Sequence, residues 1–99
     1  MSKQYFHGKG VVVKVFADDR KGSRHQKFTV KLKPNKSVVV VHNIDLSQRI
    51  NQLKIGDLVE FYGVYQWNRF GGLVHWTHKS ANVAEHKSGW IKHHNIIYQ

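Results

Sequence analysis

The stretch LKIGDLVEFYGVYQWNRFGGLVHWTH, residues 53–78, predicts a β-hairpin and thereby the class of fold. Residues 58–67 are rich in Val, Phe, Tyr and Trp and follow a Gly-Asp turn, and residues 73–77 form a second such run. Runs of this composition between turn residues favour strands over helices. The polar tip between the two runs is formed by residues 68–72. At this tip Arg69 lies between two aromatic residues, Trp67 and Phe70. Such a tip suits a ligand that is flat and negatively charged.

Further strand patterns lie on both sides of this hairpin. In chain order they are residues 10–16, 25–33, 37–44 and, as an irregular strand, 90–98. The polar residues 1–9 predict a flexible N-terminus, so that residues 10–99 would form a single domain. Gly63, in the middle of the fourth strand, predicts a bulge or a sharp bend.

The strand at residues 25–33 alternates between apolar and basic residues, which is typical of a strand with one buried and one solvent-facing side. A tight turn at the following proline pairs Lys33 with Lys36. The register that continues from this pair sets Val30 opposite Val39 and places both in the core. A shift by one residue would move the apolar side chains among the lysines, so this register is the expected one.

Residues 45–53 predict a short helix, because Asp45 is a suitable N-cap and Leu46, Ile50 and Leu53 follow at helical spacing. A helix between strands three and four is a feature of the five-stranded Greek-key barrel of the OB type. The expected fold class is therefore all-β, a small OB-like barrel with one short helix between strands 3 and 4. An SH3-like small barrel is the competing fold, and the position of the helix argues against it.

Charge dominates the composition of this chain. Its 99 residues are enough for one compact domain, and 16 Lys and Arg against 6 Asp and Glu give a formal net charge of +10. Such an excess attracts polyanions, so nucleic acid is the first partner to consider. An acidic protein is the second, and the sequence does not determine the oligomeric state.

Several classes of site and location are excluded or disfavoured by what the sequence lacks. There is no cysteine, which excludes disulfides, thiolate metal sites and cysteine nucleophiles. No stretch approaches the roughly 18 apolar residues of a membrane-spanning helix. No signal-peptide pattern occurs at the start, so we expect a cytoplasmic chain or one that has already lost an export signal.

Basic and aromatic side chains form the first candidate site, for nucleic acid. In an OB-like barrel, ligands bind on the face of strands two and three and on the loops 1–2 and 4–5. The residues at these places are Arg20, Lys21, Arg24, Lys27, Lys31, Trp67, Arg69 and Phe70. The basic residues would contact phosphates and the aromatic rings would stack on unpaired bases. Binding of single-stranded DNA or RNA without catalysis and without a cofactor is the favoured interpretation.

Histidines form the second candidate site. The expected register places His25 and His42 on one outer face, and His75 and His78 flank the end of the fifth strand. Three imidazoles can hold a divalent metal such as zinc, which leaves open a metal-dependent phosphodiesterase or nuclease. Asp18 and Asp19 could add a metal ligand, although turn formation and pairing with Arg20 or Arg24 are favoured for them. A protein-interaction module that docks on an acidic partner or on a nucleic-acid enzyme is the third alternative.

Several phrases of the sequence are more specific than its composition. They are HQKF at 25–28, HNIDL at 42–46, GDLVEFYGVYQWN at 56–68, GGLVHWTH at 71–78, HKSGWIKH at 86–93 and the final YQ. Together they resemble a family of small bacterial proteins known only as a domain of unknown function. The resemblance covers residues 10–99 and implies no activity that can be transferred to this chain.

Overall fold

Seven strands follow one another in the part of the chain that the computed structural model describes, residues 3–80 and 87–99. They are β1 (Tyr5–Val15), β2 (His25–Lys33), β3 (Lys36–Asn43), β4 (Leu58–Gln66), β5 (Leu73–His75), β6 (Trp90–His93) and β7 (Ile96–Tyr98). Within these described residues, no helix has the length and apolar character needed to cross a membrane.

Five of the strands form a closed barrel, as the all-β interpretation predicts. They are hydrogen-bonded in the order β1-β2-β3-β5-β4, and a further pairing of β1 with β4 closes the ring. All these pairings are antiparallel except that of β3 with β5, which is parallel. Closure removes the free edges that an open five-stranded sheet would expose.

The length of β1 makes this closure possible. Its first half pairs with β4, from Tyr5 opposite Val64 to Val11 opposite Leu58, and its second half pairs with β2. The strand therefore begins earlier than the expected residue 10. Residues 5–9, which we assigned to a flexible N-terminus, are part of the barrel wall.

The short helix expected at residues 45–53 is wrong, because the described residues contain no helix and this segment consists of turns and irregular chain. Its backbone is bonded to the barrel instead. The buried Gln26 side chain donates to the carbonyl of Ile50 at 2.8 Å and accepts from its amide at 3.0 Å. Leu46 is 64% exposed, so the apolar spacing does not mark one buried face. Hydrogen bonds to side chains of β2 and β3 thus replace those a helix would make within itself.

The expected register of β2 and β3 holds at the turn and fails beyond it. Lys33 does pair with Lys36, but a register shift between Lys31 and Lys33 then sets Val30 opposite Val38. An extra residue on one strand reverses which side of the partner strand faces inward. As a result Val38, rather than Val39, lies in the core.

The C-terminal segment is a hairpin rather than the single irregular strand that we expected. β6 pairs with β4 from Val59 opposite His93 to Tyr62 opposite Trp90, and β7 pairs with β6. The turn between β6 and β7 has positive φ at both central residues, His94 (50°) and Asn95 (65°). Two such residues match the twist of a tight hairpin, and this turn lacks the glycine that usually signals one.

The core lies inside the barrel and is almost entirely aliphatic and aromatic. Its buried residues are Val12, Phe28, Val30, Val38, Val40, Ile50, Val59, Phe61, Val74, Ile91 and Tyr98. Gly63 lies where the partner of β4 changes from β6 to β5, and its pairing with β1 shows no register shift. A Cβ atom at Gly63 would be 2.5 Å from the carbonyl oxygen of His75. The glycine thus permits a close approach of two backbones, where we had expected a bulge or bend.

Candidate functional site

A groove of about 550 Å³ crosses the outer surface of β2, β3 and β5. Side chains alternate along a strand, so Phe28, Val40 and Val74 point into the core while Lys27 and His75 point outward. The residues that line the groove are Asp19, Lys21, His25, Lys27, Val41, Asn43, Leu46, Gln66, Leu73, His75, Trp76 and His78. Lysine, histidine and tryptophan side chains therefore share one concave surface.

The loop between β1 and β2 closes one end of the groove. The backbones of Asp19 and His25 exchange two hydrogen bonds of 2.9 Å, which folds the loop back onto the start of β2. The Asp19 carboxylate accepts from the backbone amide of Lys21 and from the Lys27 ammonium group. The loop is thereby held against the groove, with Lys21 in its lining.

The loop between β4 and β5, residues 67–72, lies toward the other end of β3. The carbonyl of Gly72 accepts from the amide of Val39 at 3.1 Å. Inside the loop, the Asn68 side-chain oxygen accepts from the amides of Phe70 and Gly72. These bonds give the tip a defined shape.

The tip presents two large aromatic side chains to solvent. Trp67 is 74% exposed and Phe70 is 80% exposed, and the guanidinium group of Arg69 lies 5.2 Å from the centre of the Phe70 ring. Exposure of this extent leaves ring faces available to a ligand. The β1–β2 loop and the β4–β5 loop, both predicted from the sequence, lie at opposite ends of the outer β2–β3 surface.

Two of the predicted basic residues are already paired with carboxylates. Lys27 lies 3.2 Å from Asp19, and the Arg24 side chain lies 2.7 Å from Asp45. Hydrogen bonds from the Lys21 amide and then from Lys27 lower the pKa of Asp19, and bonds from the backbone and side chain of Arg24 lower that of Asp45. These two cations are partly neutralised in the free protein.

The other basic residues of the predicted site are exposed. Arg20, Lys21, Lys31 and Arg69 form no ion pair with a carboxylate among the described residues. Lys31 lies on the same outward side of β2 as Lys27, four positions further along the strand. The charges of Arg20, Lys21, Lys31 and Arg69 are therefore the ones most available to a phosphate backbone.

Asp18 forms an ion pair, as we favoured, but with a different partner from the one expected. Its carboxylate accepts from Arg49 at 2.8 Å, not from Arg20 or Arg24. This hydrogen bond is the main cause that lowers the pKa of Asp18, and neighbouring arginine charges add to it. The pair ties the first loop to the segment that follows β3.

The four histidines predicted as an alternative metal site do not come together. His25, His75 and His78 line the groove, whereas His42 lies inside the barrel wall and is fully buried. The expected outer position of His42 is wrong because the β2–β3 register shift turns it inward. These four rings do not supply a group of three nitrogens within 4.8 Å of one another.

Both nitrogens of the His42 ring have partners, one in the segment after β3 and one just after β5. Nε2 lies 3.1 Å from the Gln48 carbonyl, and Nδ1 lies 2.9 Å from the Thr77 hydroxyl. Because a carbonyl can only accept, Nε2 carries the proton and Nδ1 accepts from Thr77 in the neutral ring. Burial lowers the pKa of His42 to about 4.

Trp76 is a groove residue that is absent from the set predicted from the sequence. It lines the groove beside His75, and its backbone has φ of 56°, a left-handed conformation that is rare for a bulky residue. One indication was present in the sequence, since Trp76 directly follows the fifth strand, where the alternation of inward and outward side chains stops. Its orientation depends on a backbone turn that the sequence pattern does not show.

In a comparison with known families, residues 1–99 match the model described as "Protein of unknown function (DUF3465)". The chain belongs to this family. The match confirms the resemblance drawn from the sequence phrases. Comparisons with the curated proteins and with the solved structures give no significant match.

A second cluster of this family member lies away from the groove and was also missed. Asp57, His93 and His94 bring their ligand atoms within 4.8 Å of one another. We had assigned Asp57 to a turn, and its carboxylate does accept from the amide of Lys54 at 3.0 Å. The signal in the sequence was a pair of adjacent histidines, whose meaning depends on the turn between β6 and β7.

Proposed function

We propose that this chain is an OB-like barrel that binds single-stranded nucleic acid, without catalysis, in the groove of β2, β3 and β5. The observation that carries the proposal is the lining of that groove, which combines Lys21, Lys27, three histidines and Trp76 on one concave surface. The strand order β1-β2-β3-β5-β4 supports an OB-like assignment. In barrels of that type this surface and the two loops beside it bind oligonucleotides.

Electrostatic attraction supports a polyanionic ligand. The net charge is +10, and the exposed cations Arg20, Lys21, Lys31 and Arg69 lie on the two loops and on the outward side of β2. Each cation that neutralises a phosphate releases condensed counterions, which supplies affinity that does not depend on base sequence. His25, which also lines the groove, can add a hydrogen-bond donor for a phosphate oxygen.

Aromatic side chains favour unpaired bases over a duplex. Trp67 and Phe70 are exposed at the tip, and stacking of a base on such a ring contributes about 1–3 kcal/mol. Bases in a duplex are already stacked on one another and offer only their edges. The described residues also contain no helix that could enter a major groove.

Fluorescence anisotropy with labelled oligonucleotides tests this proposal. We expect single-stranded DNA or RNA to bind more tightly than a duplex of the same length, and affinity to fall steeply between about 50 and about 200 mM salt. Trp67→Ala and Phe70→Ala should each weaken binding by about 1–3 kcal/mol, with the free energy of unfolding unchanged. Ile96→Ala is the matched control, since Ile96 is also an exposed apolar residue, at 53%, but lies in β7 and not in the β4–β5 tip.

The result that overturns the proposal is equally specific. Absence of oligonucleotide binding, or an affinity that does not change with salt, would contradict it. Equal loss of affinity in Trp67→Ala and Ile96→Ala would show that the tip has no particular role. If acidic proteins bind and oligonucleotides do not, the groove belongs to the protein-interaction alternative.

A further inference from the structure

The cluster of Asp57, His93 and His94 lies at the junction of three elements. Asp57 immediately precedes β4, His93 ends β6, and His94 begins the turn into β7. Pairing of β4 with β6 sets Val59 opposite His93, which brings the β6 end next to the start of β4. The cluster is therefore built by the barrel and its C-terminal hairpin together.

We propose that Asp57, His93 and His94 bind a divalent transition-metal ion of the zinc class. This site shares no lining residue with the groove of β2, β3 and β5, and it does not depend on nucleic-acid binding.

Distances within the cluster fit one ion. Asp57 Oδ2 lies 2.8 Å from His93 Nε2 and 3.8 Å from His94 Nε2. Ligands about 2.0–2.2 Å from a zinc ion lie roughly 3–4 Å from one another, so these separations match those of a shared ion. The exposed ring of His94 would turn out of its stack with His93, so that the lone pairs of both Nε2 atoms point at the ion. The ion would replace the proton that His93 Nε2 now donates to Asp57, and both histidines would bind as neutral rings.

The turn geometry brings the two histidines to the same side. Consecutive residues of a strand point to opposite faces, so two adjacent histidines in β6 would not converge. The positive φ of His94, 50°, ends the strand and folds its ring over that of His93, with ring centres 3.8 Å apart and planes inclined by 24°. Both Nε2 atoms then face the same carboxylate.

Surrounding contacts hold the ligands in place. The amide of Lys54 donates to Asp57 Oδ2 at 3.0 Å, which orients the carboxylate as outer-shell hydrogen bonds do in metal sites. The His93 side chain is 2% exposed and that of Asp57 is 18% exposed, whereas that of His94 is 61% exposed. Two ligands are therefore fixed in the protein and the third lies at the surface, where an ion can enter.

Ligand chemistry selects the class of metal. Two imidazoles and one carboxylate suit zinc and its neighbours, whereas magnesium and calcium prefer a full set of oxygen ligands. Asp57 is the single carboxylate in the cluster, and Lys9 and Lys92 line the adjoining cavity of about 460 Å³. Their positive charge opposes the binding of any divalent cation, so the preference for zinc rests on the two imidazole ligands. A coordination position that faces this cavity would take water or an anion.

Isothermal titration calorimetry of untagged, metal-stripped protein with zinc chloride tests the proposal. We expect one zinc ion per chain, a competing excess of magnesium without effect, and a dissociation constant raised at least about tenfold in His94→Ala. The His94 side chain is mostly exposed, so this variant should fold normally, which circular dichroism checks. His25→Ala is the matched control and should bind zinc like the wild type.

Several distinct results would contradict the proposed zinc site. No zinc binding, or binding that His94→Ala leaves unchanged, would overturn the proposal. Equal weakening in His94→Ala and His25→Ala would assign the ion to diffuse binding by histidines. X-ray absorption of the zinc-loaded wild type should show two imidazole ligands, and a spectrum with none would also contradict the site.

Discussion

The His42 ring is enclosed between β3, the segment after it and Thr77, and both of its nitrogens are hydrogen-bonded. Burial lowers its pKa from 6.5 to about 4, because a charged imidazolium would lose its hydration there. In the unfolded chain the same ring takes up a proton near pH 6.5. Between these two values the unfolded state binds more protons than the folded state, so acid favours unfolding.

We therefore predict that the free energy of unfolding falls as the pH falls from about 6.5 to about 4, by up to about 3 kcal/mol from His42 alone. Urea denaturation at about pH 7 and about pH 4.5 measures the loss. In His42→Gln, which cannot titrate, the stability at neutral pH should be lower but its change over this range should be smaller.

Ser23→Ala serves as the control for this experiment, since Ser23 is exposed, carries no titratable group and is not among the groups that shift the pKa of His42. It should keep the pH dependence of the wild type. The carboxylates whose pKa is lowered, such as Asp18 and Asp45, lose their contributions below their ordinary pKa of 3.8, and so mostly outside the window. An unchanged pH dependence in His42→Gln would contradict the assignment.

Among the described strands, β4 has the most neighbours, since it pairs with β1, β5 and β6. Gly63 lies where its neighbour changes, and the carbonyl oxygen of His75 would be 2.5 Å from an added Cβ atom. That oxygen belongs to the backbone, so it cannot move away as the end of a flexible side chain can. The contact can be relieved only if β4 and β5 separate.

We predict that Gly63→Ala lowers the free energy of unfolding by about 1–3 kcal/mol or more, because overpacking forces a shift of the backbone. Thermal or urea denaturation measures the effect. Gln66→Ala, at an exposed position of the same strand, should stay within about 0.5 kcal/mol of the wild type. Similar stabilities of the two variants would show that the close approach carries no strain.

Strand patterns identified most strands and their two hairpin pairings, whereas the predicted helix and the predicted strand register were wrong. The expected limits of the middle strands, such as residues 58–67 against β4 (Leu58–Gln66), are close because alternation of apolar residues is a local property. The helix at residues 45–53 failed because Gln26 binds the backbone of Ile50, a contact across 24 positions of the chain. The β2–β3 register failed because of an irregularity between Lys31 and Lys33 that no residue pattern marks.

For the molecule as a whole, the net charge of +10 raises the question of whether binding depends on total charge or on its location. Lys21→Glu with Lys31→Glu reverses two exposed charges beside the groove. Lys54→Glu with Lys92→Glu reverses two charges elsewhere, and neither of these residues lines the groove. Each pair changes the net charge by −4, from +10 to +6, so long-range attraction falls equally.

We predict that the groove pair weakens binding of a single-stranded oligonucleotide at least about tenfold more than the remote pair does, because direct phosphate contacts are lost. The groove pair should also reduce the salt dependence of affinity by about one phosphate contact for each lysine. Anisotropy titrations at several salt concentrations measure both quantities. Equal effects of the two pairs would attribute the binding to net charge and not to the groove.

The candidate groove was predicted in part. Its basic residues and the exposed tip follow from the positions of loops and outward-facing residues along the strands, which local alternation indicates. Trp76 enters the groove only because its backbone adopts a left-handed conformation. His42 leaves the predicted set because the register shift turns it inward. Whether the groove binds nucleic acid stays a prediction.

The amino-acid sequence alone was enough to predict the all-β class, the excess of positive charge and the aromatic tip, because each depends on residue type and on spacing within a few positions. The barrel closure by β1, the loss of the helix and the meeting of Asp57 with two histidines required the folded chain. These features arise when hydrogen-bonding groups far apart in the chain compete for the same backbone and side-chain partners. Local sequence patterns do not indicate which of these distant groups will pair, so the pairing is known only from the three-dimensional structure.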